Sequence, residues 1–289
     1  GHSDNEGGLI MRKFVSAIIG LMFAVVGTGT ALSQEKSALV TVKERGVLKA
    51  GVTKDVPNFG YIDESGKHVG FDYDIIEEIA KRLNVKLEVT QVTSATRIPL
   101  LQQGRIDVVA ATMTHYRSRD EAIDFSVGYF YSPQTIMVKK SSGIKSVADM
   151  ANKRAAASIG SGSIKLFQKA QPAVKMQTFE SFGETFLALR QGTIDAIVTD
   201  AVILAGLRAS APNPEEFEVL FNKEAVYGGG EYGLGMREND SKWRDQINFL
   251  LQDMWLDGTW DRIFNKWLGP GTKMNLTKQQ LGFEMTVWE

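Results

Sequence analysis

The 289-residue sequence contains no cysteine. That absence excludes a disulfide scaffold, a Cys-ligated zinc site, a thiol nucleophile and an acylated lipoprotein cysteine. An excess of either charge is also missing: 33 Lys+Arg stand against 34 Asp+Glu, a formal net charge of −1. No global basic field exists to hold a nucleic-acid backbone or an anionic membrane, so no nucleic-acid partner is expected. The apolar run Phe14 to Val26 is about thirteen residues, short of the ~20 that a membrane span needs. What remains is ordinary globular composition, 43% hydrophobic and 23% charged. The length suggests about two domains. A chain of this size buries about three quarters of its unfolded surface, enough to fold without a metal or staple.

The short apolar run has a definite context. Met11 is followed by Arg12 and Lys13, then by the run, then by Ala31 and Ser33 at the −3 and −1 positions of a cleavage site. This is the three-part layout of a secretory signal. Residues 11–33 are therefore expected to be a signal peptide, with the mature chain from about Gln34. Residues 1–10 read as a cloning remnant or a misplaced start. Export without cysteine fits a soluble protein of a bacterial periplasm.

From Gln34 onward, β-rich runs alternate with helical patterns. Strands are expected at 46–52, 85–92, 107–111, 135–140, 175–179 and 194–199, and helices near 74–83, 145–152, 162–171, 182–191 and 200–209. Asp74 is the expected N-cap of the first of these helices. Residues 241–267 read as helical, and all five Trp lie between Trp243 and Trp288. Such alternation argues for α/β layers around mainly parallel sheet. One pattern repeats: Leu-x-Gln-Gly-x-Ile-Asp begins at Leu101 and again at Leu189. Each copy reads as a helix stopped by glycine (Gly104, Gly192) and followed by a buried strand. Two similar α/β lobes are the expectation.

Ligands of open α/β sheets bind beyond the carboxyl ends of strands. In the first copy that point is 111–120, which brings Thr112, Thr114 and Arg119; in the second it is 198–202, which brings Asp200. Hydroxyls, a guanidinium fork for a carboxylate and a carboxylate for an ammonium together suit an α-amino acid.

The stretches "GFDYDIIEEIAKRL", "ATMTHYRSRDEAIDFS", "QGTIDAIVTDAVILAG" and "DGTWDRIFNKWLG" resemble, in that order, the polar amino-acid-binding proteins of bacterial ABC importers, solute-binding protein family 3. The resemblance covers Val47 to Leu276. It implies the type 2 periplasmic-binding fold: an α/β protein of two lobes joined by a two-strand hinge. Lobe 1 would hold 34–130 and 228–289, and lobe 2 with the hinges 131–227, the hinges lying near Tyr129–Pro133 and Ala225–Gly228. It further implies that Thr114 and Arg119 grip an α-carboxylate, that Asp200 holds the α-ammonium, and that Ser161 and Gly162 of the "IGSGS" turn offer hydroxyl and backbone N–H groups. "TRIPLLQQG" (96–104) resembles the acidic-amino-acid binders, in which Arg97, with Ser94 beside it, would meet a side-chain carboxylate. Glutamate or aspartate is thus favoured, with a neutral polar amino acid as the alternative.

Departures from the family pattern bear on this. Tyr116 stands where many members have a capping threonine, and Ser118 with Glu121 is expected to supply a capping box instead. Asp55 stands where many members have an aromatic, and would repel an acidic ligand or welcome a basic one. The basic residue some members supply from lobe 2 falls near Phe182. Asp200 is also placed to N-cap the helix that follows it. The partners implied are a free amino acid and the membrane permease of an ABC importer; a monomer is expected, with no cofactor, metal or catalytic residue. Two rival readings stay open: a periplasmic dehydratase-like enzyme on a prephenate-like acid, with Glu180 or Glu184 as general acid, and a sensory ligand-binding module.

Overall fold

The computed structural model describes residues 35–289; the signal peptide expected at 11–33 and residues 1–10 lie outside them. Residues 37–289 form one compact unit. Among the described residues no helix is long and apolar enough to cross a membrane.

Two sheets organise this unit. The first runs Lys86–Val92, Val47–Thr53, Val108–Val109, Gly235–Met236, Asp124–Phe125. Its first three strands are parallel, and Gly235–Met236 is antiparallel to both its neighbours. The second runs Lys175–Phe179, Arg154–Ser158, Ala196–Asp200, Phe130–Lys139, Phe217–Val219. Its first three strands are again parallel, and Phe130–Lys139 is antiparallel to Ala196–Asp200. Parallel strands need helical crossovers that cover the sheet. Phe71–Arg82 connects the first pair, Ser163–Ala170 and Phe182–Gln191 the second set. Gly104 (φ 69°) and Gly192 (φ 77°) take the left-handed conformation that ends a helix at low cost. The repeated motif therefore marks the same junction in both sheets. This is the two-lobed α/β arrangement that the resemblance implies.

Phe130–Lys139 also links the two halves. After leaving the first sheet at Asp124–Phe125, the chain enters this ten-residue strand, whose start pairs antiparallel with Gly228–Tyr232 from Phe130↔Tyr232 to Gln134↔Gly228. Two chain passages thus run side by side between the sheets. Their first-sheet end is fixed by aromatics: Phe59, Phe71, Tyr129, Phe130, Tyr232 and Trp260 are all fully buried and make tilted, edge or stacked contacts. Each buries some 150–250 Å².

Several local expectations are corrected. The first long helix starts at Phe71, with Gly70 and not Asp74 at its N-cap. Gly70 sits at φ 133°, where a Cβ would lie 2.2 Å from the Phe59 carbonyl oxygen. This turn lets Phe71 N–H donate to Asn58 O and Asp72 N–H to Phe59 O. Backbone carbonyls thus satisfy the orphan donors of the helix start. Asp74 instead accepts bonds from Lys266 Nζ (2.7 Å) and Trp267 Nε1 (2.8 Å). The helix expected at 145–152 is only a 3₁₀ turn, Ala148–Met150, closed by Ala151 and followed by Asn152 at φ 62°. The 107–111 strand pairs only at Val108–Val109. Residues 241–267 divide into Ser241–Leu256 and Thr259–Trp267 at Gly258 (φ 85°).

Candidate ligand-binding cleft

A narrow cleft lies where strand ends of the two sheets face each other. All eight residues singled out from the sequence line it: Ser94, Arg97, Thr112, Thr114 and Arg119 from the first half, Ser161, Gly162 and Asp200 from the second. Tyr116 also lines it, together with Gln134, Thr199 and Ile203, which nothing in the sequence singles out, and Phe182 occupies the place of the basic residue that some members supply.

Arg97 opens the short helix Arg97–Gln102 and is only 3% exposed. Its Nη1 donates to Ala111 O (2.6 Å), and its Nε has no partner. Burial, with Arg119 nearby, pushes its pKa down to about 9, so it remains a cation at neutral pH.

Thr112 adopts φ 45°, a region that residues other than glycine rarely enter. Its N–H donates to Asp72 Oδ2 (2.7 Å), and the Tyr129 hydroxyl donates to Asp72 Oδ1 (2.6 Å). Asp72 is fully buried; burial pushes its pKa up to about 7 against the opposing pull of these bonds and of Arg97. The sequence reading gave Asp72 no role, although it lies on the same helical face as Ile75, Ile76 and Ile79.

Arg119 lies in the turn Arg117–Asp120. Its Nη1 donates to Thr114 O (2.8 Å), and its Nη2 reaches Gly160 O (3.3 Å) across the cleft. Its guanidinium sits 4.9 Å from the centre of the Tyr116 ring, a cation–π distance. The expected Ser118/Glu121 capping box does not form: the helix starts at Arg117, and no side chain caps it. Tyr116, at the N-cap position, spends its side chain on Arg119 and on Gln134, whose Nε2 donates to the Tyr116 hydroxyl at 2.6 Å.

Across the cleft, Ser161 Oγ donates to Ser163 Oγ (3.0 Å) and accepts Ser163 N–H (3.2 Å) at the start of Ser163–Ala170. A Cβ on Gly162 would lie 2.3 Å from the Tyr116 ring. Only glycine lets the two sides approach this closely here.

Asp200 ends the strand Ala196–Asp200 and is 5% exposed. Its Oδ2 accepts the Tyr232 hydroxyl (2.9 Å), and its Oδ1 has no partner. Asp200 occupies the N-cap position of the helix Ala201–Ala209, as expected, but its side chain makes no cap bond there. Ser132 Oγ instead accepts Val202 N–H (3.3 Å), which leaves the carboxylate aimed at the cleft. Burial pushes the Asp200 pKa up to about 6, opposed by the Tyr232 hydroxyl, Arg119, the nearby Gln134 amide and Arg97.

Three residues weighed from the sequence are not among those lining the cleft. Asp55 accepts Gly183 N–H (3.3 Å) and bridges the halves there, so it does not screen the ligand's charge as expected. Glu180 and Glu184 are exposed, and Glu184 Oε2 accepts Glu180 N–H (3.0 Å). The general acid required by the dehydratase reading is therefore not supplied by either.

The model of the bacterial extracellular solute-binding proteins, family 3, matches residues 48–270. The ABC transporter glutamine-binding protein GlnH of Bacillus subtilis is 34% identical over 273 residues, 89% of this chain and 98% of the relative. The L-glutamate/L-aspartate-binding protein of Pseudomonas aeruginosa is 27% identical over 86% of this chain and 85% of its own. A solved ancestral arginine-binding protein bound to glutamine is 38% identical, covering 78% of this chain and 99% of its own at a TM-score of 0.73. The two facing sheets and the paired linking strands are the type 2 periplasmic-binding fold. The chain belongs to the bacterial extracellular solute-binding proteins, family 3.

Proposed function

We propose that this chain captures a polar amino acid, glutamate or aspartate in preference to others, between its two lobes, and presents the closed form to the permease of an ABC importer in the periplasm. The observation that carries this reading is the charge set of the cleft. Two guanidiniums, Arg97 and Arg119, face one carboxylate, Asp200, whose Oδ1 is unpartnered. An acidic amino acid, with two carboxylates and one ammonium, complements this set charge for charge. Arg119 and Thr114 take the α-carboxylate with Ser161 and Gly162, Asp200 takes the α-ammonium, and Arg97 with Ser94 takes the side-chain carboxylate. Groups on both lobes then gain contacts only in the closed state, which the ligand favours by its differential affinity. A neutral ligand is the second reading; the relative named as glutamine-binding favours it.

Calorimetric titration of glutamate, aspartate and glutamine into wild type and Arg97→Ala tests the proposal. Removing a charge-assisted bond costs about 1.5–3 kcal/mol, so glutamate should weaken about tenfold to more than a hundredfold and glutamine far less. Equal losses for both would remove Arg97 as selector, and the acidic assignment with it. No heat for any of the three in wild type would remove amino-acid capture.

Binding should also depend on pH through Asp200. In the free protein its pKa stands at about 6. An ammonium against Oδ1 stabilises the ionised form, so the bound pKa is lower. Below pH 6 binding must release a proton, and affinity falls as the pH drops. From pH 7 to pH 5 the loss should be about tenfold, the amount one unit below the free pKa dictates. Asp200→Asn should bind weakly at every pH, without this slope. A flat affinity in wild type over the same range would contradict the assignment.

A further inference from the structure

Among the described residues four buried side-chain atoms lack a hydrogen-bond partner: Arg97 Nε, Gln134 Oε1, Asp200 Oδ1 and Tyr227 Oη. Three of them belong to side chains lining the cleft. Two of those three, Gln134 Oε1 and Asp200 Oδ1, are acceptors.

Their backbone positions explain why they come together. Gln134 and Asp200 are register partners in the antiparallel pair of Phe130–Lys139 with Ala196–Asp200. Directly opposed residues project from the same face of a sheet. Gln134 is at the same time the register partner of Gly228, at the far end of the paired linking strands. Each side chain already has one polar atom committed to the first-sheet half. Gln134 Nε2 donates to Tyr116 Oη (2.6 Å), and Asp200 Oδ2 accepts Tyr232 Oη (2.9 Å). The free atoms are both buried acceptors, and neither can satisfy the other. Such a pair is costly unless a donor enters. A group with at least two N–H donors and a positive charge satisfies both at once.

We propose that Gln134 is a ligand-binding residue: its Oε1 accepts from the same ammonium that Asp200 holds, making a two-acceptor seat for a primary amine. The assignment rests on the amino-acid reading of the cleft and deepens it. It gives the site a reason to prefer amino acids over acids of the same shape that lack the amine. It also ties amine capture to closure, because the amide that receives the ammonium holds Tyr116 of the opposite lobe through its other end.

The opposite orientation of the amide makes a contrary forecast. With Oε1 on Tyr116 and Nε2 on Asp200, Gln134 would serve as a donor to the carboxylate, and the seat would be filled without a ligand. Two substitutions separate donor from acceptor. Gln134→Met keeps the length and removes both functions; Gln134→Glu keeps the acceptor and removes the donor. Calorimetry with glutamate and with glutamine, on variants whose circular dichroism matches wild type, should show Gln134→Met about tenfold or more weaker. Gln134→Glu should remain within about threefold of wild type. An indifferent Gln134→Met, or a Gln134→Glu as weak as Gln134→Met, overturns the assignment. A crystal structure of the wild-type complex decides independently of any variant's folding. The amine nitrogen within about 3.2 Å of the Gln134 side-chain oxygen supports the seat, and a nitrogen beyond hydrogen-bond reach overturns it. A wild type that binds neither probe removes the functional proposal, and this assignment with it. Binding by wild type with an indifferent Gln134→Met removes this assignment alone.

Discussion

Replacing Arg119 by lysine, or Asp200 by asparagine, is expected to weaken any α-amino acid by a hundredfold or more while the chain stays folded. Arg119 is held by three fixed partners: Thr114 O, Gly160 O on the opposite side, and the Tyr116 ring. They fix the plane of its guanidinium at the cleft, where the proposed function puts the α-carboxylate. Lysine keeps the charge and loses the bidentate plane. At Asp200 the loss is of charge alone, opposite an ammonium taken out of water. Breaking one partner of a desolvated pair costs about 3–5 kcal/mol, a hundredfold to several thousandfold in affinity. Stability should respond in the other direction at Asp200. Its pKa of about 6, against an ordinary 3.8, means that the ionised carboxylate is paid for in folding free energy near neutral pH. Asp200→Asn should therefore unfold no earlier than wild type in the absence of ligand. Titration calorimetry alongside thermal unfolding checks both halves. Near wild-type affinity in either variant would mean that the headgroup is read elsewhere.

The legible part of this molecule was its periodicity. Strand and helix alternate as the apolar pattern requires, and Gly104 and Gly192 stop their helices for the reason the repeat implied. The cleft followed from a topological rule, that strand carboxyl ends face the ligand, together with residue types that suit a zwitterion. What stayed hidden depends on register or on distant backbone. Gln134 falls between the expected hinge at Tyr129–Pro133 and the expected strand at 135–140; the strand in fact begins at Phe130, and its pairing puts Gln134 opposite Asp200 at the cleft. Tyr116 reads as a missing cap, yet its ring and hydroxyl serve Arg119 and Gln134. Asp74 reads as the cap because the carbonyls that do that work, Asn58 O and Phe59 O, come from a turn that the local sequence does not reveal. Asp72 is legible in principle. Its spacing from Ile75, Ile76 and Ile79 already placed it on the buried face, and a carboxylate in that phase calls for partners.

Those partners make Asp72→Ala the substitution with the largest expected effect on stability. Its carboxylate closes a bond from Thr112 N–H and another from the Tyr129 hydroxyl, all out of water. Alanine strands both donors, at about 1–3 kcal/mol each. Asparagine differs: its oxygen still accepts from Thr112, and its amide donates to the Tyr129 oxygen. The two variants separate the shape of the site from its charge. With a folded pKa of about 7 and an ordinary one of 3.8, the unfolded chain loses this proton first. Between those values the folded state binds more protons, so wild-type stability falls as the pH rises through the interval. At about 1.4 kcal/mol per unit, the fall from this residue is on the order of 4 kcal/mol. Urea denaturation at pH 5, 6.5 and 8, followed by tryptophan fluorescence, should show Asp72→Asn with a shallower pH slope than wild type. Asp72→Ala should be least stable relative to wild type at pH 5, where the wild-type carboxyl is protonated and fully paired. A slope unchanged in Asp72→Asn, or an Asp72→Ala within about 1 kcal/mol of wild type at pH 5, would contradict the role. The consequence reaches the cleft, because the Thr112 N–H that Asp72 holds fixes the φ 45° turn beside Ala111, whose carbonyl positions Arg97. The same alanine should therefore weaken ligand without touching it.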